Sequence, residues 1–277
     1  MPCADVTVSN CVLHSPCQGI RIGVGSGVIQ RCVFENIVIR QSLCGISIVS
    51  HYSERLSGPG TTMRDIRFAN MIIEADQPLH VSTGVAGTAA MQDIHFSGID
   101  IIGGPSFLGG SVTNPMRRVV LHDVNVRLTN PGLPDGQVFD DDFPAYPPWT
   151  FHRAAASAGV CVSDIADVSI EHLRLHWDEA SGVRQYGLVA RRIKRLSLVN
   201  VNGGTPPADA DIDQAVVRCI ECDNVSMRGC VAGPDTRRFA ALRGAGRQPV
   251  RMVGNDLTAA REPWAGDTEV MDAGNLT

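Results

Sequence analysis

Short apolar strands return along this chain about every 25 to 30 residues in the same internal order, a period that belongs to stacked repeat architectures. Asp5-Val6-Thr7-Val8-Ser9-Asn10-Cys11-Val12-Leu13 leads to Gly19-Ile20-Arg21-Ile22. Arg31-Cys32-Val33-Phe34-Glu35-Asn36-Ile37-Val38-Ile39 leads in turn to Gly45-Ile46-Ser47-Ile48, so Asn10 to Asn36 and Gly19 to Gly45 are both 26 residues apart. The pattern recurs at 65–73, 93–101, 118–126, 167–173, 195–201 and 224–227, with Ile66 and Ile94 28 apart and Val168, Leu196 and Val225 spaced by 28 and 29.

Each unit alternates apolar and polar residues, which gives every strand one face toward a shared interior and one toward solvent. No unit buries its apolar face alone, so neighbours must stack. The spacing predicts an all-β, single-stranded right-handed parallel β-helix over 1–277 as one domain. Asn10, Asn36 and Asn70 are expected at equivalent corners, where a ladder would satisfy buried amides and Asn tolerates the turn geometry. A β-sandwich is the competing architecture, but it calls for hairpins about 8 to 12 residues apart with Asn-Gly or Asp-Gly turns, and these are mostly missing.

Composition fits an aliphatic β core. Aromatic residues are only 5% while hydrophobic residues reach 44%, and β-branched runs such as Ile37-Val38-Ile39 suit a pleated surface. A net charge of −5 with scattered Lys and Arg provides no nucleic-acid footprint. Apolar runs stop short of the length that spans a membrane, and the N-terminus carries no secretory signal. Nine cysteines imply no disulfide framework in a chain of this size. Cys11, Cys32 and Cys44 read as packing residues. Cys219-Ile220-Glu221-Cys222 has the spacing of half a zinc site without its second half, so no metal and no cofactor is expected.

Two insertions break the rhythm, at 51–62 and 129–158, and insertions of this kind leave a solenoid at its corners and often wall a binding cleft. The first carries His51, Tyr52 and Arg55 as candidate substrate contacts. The second carries Asp140, Asp141 and Asp142, with Trp149 as a face for a sugar ring; this carboxylate cluster is the one that offers acid-base work or a Ca²⁺ site. Gly23-Val24-Gly25-Ser26-Gly27 mimics a dinucleotide fingerprint, but no βαβ unit supports it and it reads as a turn. His172 and His176 are placed on a strand, on one face and too far apart to share a metal.

Asn10-Cys11, Cys17-Gln18-Gly19-Ile20-Arg21-Ile22-Gly23, Cys44-Gly45-Ile46-Ser47-Ile48 and Ile66-Arg67-Phe68-Ala69-Asn70-Met71 together resemble the polygalacturonase family, glycoside hydrolase family 28, of the pectin-lyase-like β-helix superfamily. The likeness covers residues 1 to about 128. It implies a secreted or periplasmic inverting hydrolase of pectic or related polysaccharide, in which one carboxylic acid protonates the leaving oxygen and a second carboxylate activates water. The family's Asn-Thr-Asp and Gly-Asp-Asp motifs do not occur here. The resemblance therefore implies a divergent member lacking its N-terminal coils and cap. The family's Gly-His-Gly falls on Cys17-Gln18-Gly19, so an amide replaces the usual imidazole; Gln18 still hydrogen-bonds sugar hydroxyls but transfers no proton. The family's Arg-Ile-Lys falls on Ser47-Ile48-Val49, and Arg21 is the nearby guanidinium for a carboxylate. The expected partner is a polysaccharide or oligosaccharide, with neither nucleic acid nor membrane. A non-catalytic glycan-binding β-helix and a polysaccharide lyase on the same fold stand as alternatives.

Overall fold

The structure, a computed structural model, describes residues 2–23, 25–51, 58–84, 87–129, 158–178, 185–206, 213–244 and 248–277. It is all-β, and no helix of the described residues is long and apolar enough to cross a membrane. The strands in chain order are β1 (Cys3–His14), β2 (Gln18–Gly23), β3 (Gly27–His51), β4 (Thr61–Gly84), β5 (Met91–Gly103), β6 (Ser106–Gly109), β7 (Arg117–Leu128), β8 (Ala158–Ser163), β9 (Asp167–Trp177) and β10 (Tyr186–Arg191). They continue with β11 (Arg195–Val199), β12 (Asn202–Gly203), β13 (Ala215–Ile220), β14 (Val225–Arg228), β15 (Val231–Ala232), β16 (Thr236–Arg243), β17 (Val250–Val253), β18 (Ala260–Gly266) and β19 (Val270–Ala273).

Every described strand pairing is parallel, which removes the sandwich built from antiparallel hairpins. One stack runs β1, β3, β4, β5, β7, β9, β11, β14, β17, β19. A second runs β2, β3, β4, β6, β8, β10, β13, β16, β18. The long β3 and β4 belong to both, so a single strand passes from one stack to the other within a repeat. Between Ile39 and Ser42 the register of β3 shifts, and Gln41 there has φ 49°.

The inward positions form continuous columns, which is what an alternating pattern repeated in register must give. Val8, Phe34, Phe68, Phe96, Leu121, Ile170, Leu198, Met227 and Met252 stack in one of them. Its three phenylalanines lie face to face, with ring centroids 5.0 and 4.9 Å apart. Buried residues of both stacks belong to one apolar cluster.

The corner asparagines extend into a longer column than the sequence suggested. Asn10, Asn36, Asn70, Gly98, Asp123, His172, Asn200, Gly229, Gly254 and Gly274 all have φ between 51° and 66°. This left-handed geometry bends the chain, and Gly, Asn and Asp adopt it at least cost. His172 lies within β9, as expected, at a position whose left-handed φ bends the strand; its ring meets His122 edge-on at 5.6 Å. The Asn ladder exists, with Asn36 donating to Asn10 at 3.3 Å and Asn70 to Asn36 at 3.4 Å, but it is solvent-exposed. The expectation of buried amides is corrected: local backbone geometry, and not buried polarity, selects Asn there.

The glycines at 19 and 45 lie within β2 and β3. A Cβ on Gly19 would meet Ile39 at 2.6 Å and one on Gly45 would meet Ile73 at 2.4 Å, and Gly159 and Gly187 stand in the same relation to Leu128 and Leu175. A further left-handed corner follows the second stack at Asp164, Arg192, Glu221 and Gly244. Asp164, nearly enclosed, accepts two hydrogen bonds from Arg192 at 2.6 Å each and one from Ser163 at 2.7 Å.

Candidate functional site

Of the residues expected to touch substrate, Gln18, Arg21 and His51 are among the described ones; Tyr52, Arg55, Asp140, Asp141, Asp142 and Trp149 lie outside them. Gln18 begins β2 and Arg21 points outward from it, exposed. His51 ends the neighbouring rung and is buried. Gln18 and Arg21 share β2, pairing with Cys44 and Ser47, and His51 pairs with Gly84. Arg21 heads an outward column that continues through Ser47, His80 and Phe107.

His80 had no motif to mark it in Pro78-Leu79-His80-Val81. It is 1% exposed, its ring lies 6.3 Å from that of Phe107, and burial lowers its pKa to about 4. The imidazole is therefore neutral at pH 7. The unfolded chain takes up this proton near pH 6.5 and the folded one only near 4, so stability falls as pH drops through that interval. The expected loss is on the order of 3 kcal/mol. His80→Phe should reduce the dependence between pH 6.5 and 4, measured as urea midpoints across pH, and leave a smaller slope of the same sign from His95, whose pKa burial also lowers from 6.5. Asp93 and Asp167, whose pKa values are lowered chiefly by hydrogen bonds from Arg118 and Arg195, lose their contribution only below about 3.8 and leave that window clear.

The most developed polar surface lies on the first stack. An open groove of about 450 Å³ crosses its rungs, lined by His95, Arg118, Asp167, Ser169, Arg195, Ser197, Asn224, Ser226 and Arg251 among others. Outward strand positions put Ser169, Ser197, Ser226 and Arg251 in one column, each paired with the next. Beside it, Asp93 accepts from Arg118 at 2.5 and 2.7 Å, and Asp167 accepts from both Nε and Nη2 of Arg195. Arg251 donates to the Asn224 amide oxygen at 2.9 Å. His95 is half-buried, and burial, then the Arg67 charge, lowers its pKa.

These groups offer hydroxyls, an amide and fork-shaped ion pairs at the rung spacing of about 4.8 Å. Clamped carboxylates of lowered pKa are poor proton donors at neutral pH. The triplet was legible: Asp167-Val-Ser, Arg195-Leu-Ser and Asn224-Val-Ser align once the repeats are superposed. Its serines carry no functional signal in the sequence, because serine is ordinary on a solvated strand face.

A second polar network sits on the other stack. Tyr186 donates to Asp213 at 3.0 Å and accepts from Arg218, whose guanidinium lies 4.6 Å over its ring. Arg238 bridges Asp213 at 2.5 Å and Glu262 at 2.7 Å. Burial pushes the Tyr186 hydroxyl up to about 12, so it stays protonated. Among the described residues no group of three His, Cys, Asp or Glu is arranged to hold a metal ion. No family model, curated protein or solved structure matches the chain.

Proposed function

We propose that the chain is a right-handed, single-stranded parallel β-helix that binds a polysaccharide along the groove of its first stack. Parallel pairing at intervals of one repeat supports the closed coil, and the strong preference of parallel crossovers for the right hand supports its sense. The observation that carries the binding reading is the column Ser169, Ser197, Ser226 and Arg251 flanked by clamped Asp–Arg pairs. It repeats hydrogen-bonding groups along one direction, and a glycan chain presents hydroxyls in the same manner.

Hydrolysis is the second reading, favoured by the resemblance of the first repeats to polygalacturonases; its acid and base would come from outside the groove. Both are tested by gel retardation in pectic and related polysaccharides, with reducing ends and ultraviolet-absorbing products assayed in parallel. Retardation without product is expected. Ser197→Trp, which puts bulk on an outward position, should weaken retardation about tenfold, or about 1.4 kcal/mol. New reducing ends would favour the hydrolase and absorbing products a lyase. Neither retardation nor product across the panel would overturn the glycan reading.

A further inference from the structure

Cys219 lies on β13 facing the interior, paired with Ala190 on one side and Leu242 on the other. The chain bends at Glu221, φ 51°, and returns Cys222 to the same interior corner. There the Cys222 thiol donates to the carbonyl of Ala190 at 3.3 Å, which is the residue directly beside Cys219 in the rung. It also lies 3.4 Å from the Ile220 carbonyl, and both cysteines belong to the same buried apolar cluster. In the preceding repeat this corner is filled by Ala190 and Ile193, with Asp223 N–H bonded to the Ile193 carbonyl at 2.8 Å. An aliphatic contact has thus been replaced by two sulfurs. The pair has neither a third metal ligand among the described residues nor a role in the glycan groove.

We propose that Cys219 and Cys222 are a redox pair that closes into a disulfide across this corner when a small-molecule disulfide such as oxidised glutathione is the oxidant. One thiolate attacks the glutathione disulfide and expels a glutathione thiolate; the second thiol, deprotonated, then attacks the mixed disulfide and expels the other. The Cys219–Cys222 bond forms, the glutathione S–S bond breaks, and two electrons and two protons pass to two molecules of reduced glutathione. Both thiols are enclosed, 0% and 1% exposed, so the exchange proceeds through local opening or before the last repeats have packed. Cys230 stands apart, with its thiol 3.6 Å from the Arg228 carbonyl.

The full chain is incubated with oxidised glutathione in two arms, native and during refolding, then unfolded, alkylated and digested with trypsin. Cleavage after Arg218 and Arg228 yields a peptide, residues 219–228, that carries these two thiols and no other. The expected result is loss of both alkyl groups from that peptide in at least the refolding arm, with full labelling restored by a reductant and Cys230 labelled throughout. In Cys219→Ala, Cys222 should remain labelled. Labelling of both thiols of the wild-type peptide in both arms overturns the proposal, whether or not the variant folds.

Discussion

Phe68→Ala should lower stability by about 3–5 kcal/mol, read as a shift in the urea midpoint. Phe68 is 1% exposed and lies between Phe34 and Phe96, so truncation opens a cavity and removes two ring contacts at once. In a stack of repeats the coupling between neighbours carries much of the stability, and a void in the middle weakens the repeats on both sides. Among the described residues Phe34 has one ring neighbour, and it is less enclosed, so Phe34→Ala should cost less. Equal midpoint shifts for the two variants would remove the ring stack as the cause.

Asp164→Ala is the second large effect, roughly 2–4 kcal/mol. The carboxylate is 3% exposed and the Arg192 side chain 21%, so removing the anion strips the cation of a bidentate partner in a poorly hydrated place. The partial exposure of Arg192 sets the cost below that of a fully buried pair. Asp164 also holds φ 55°, which alanine adopts at a further penalty. Asp164→Asn keeps the conformational preference and loses only the charge. It should recover about 1 kcal/mol relative to Asp164→Ala in the same unfolding measurement, and identical behaviour of the two would assign the whole loss to the ion pair.

The repeat was legible because parallel stacking demands it: inward residues of successive rungs share one environment, and Val6, Cys32, Ile66 and Ile94 show that in the sequence itself. The corner column was legible only where it is spelled Asn. Asp123, His172, Gly229 and Gly254 satisfy the same left-handed geometry with different side chains, so identity hides the equivalence. Gly159 and Gly187 escaped notice because their reason is contact with Leu128 and Leu175, which lie in another part of the rung. Gln18, Arg21 and His51 were grouped by nearness in sequence and by resemblance; the fold sets the first two on β2 and His51 at the end of the adjacent β3. His80 was invisible because burial, and not any motif, gives it its chemistry.

The pairing of β7 with β9 keeps one register from Val119 with Val168 to Leu128 with Trp177, although the partners are 49 residues apart where the pairs on either side, β5 with β7 and β9 with β11, are 25 and 28 apart. Closing a connection of twice the length adds only about 0.6 kcal/mol, so the stack tolerates whatever chain is threaded between its rungs. Seen this way the rungs are a docking rail with a free port. Sequence can be lengthened or exchanged between β7 and β8 while the residues that read each other across the rungs keep their places.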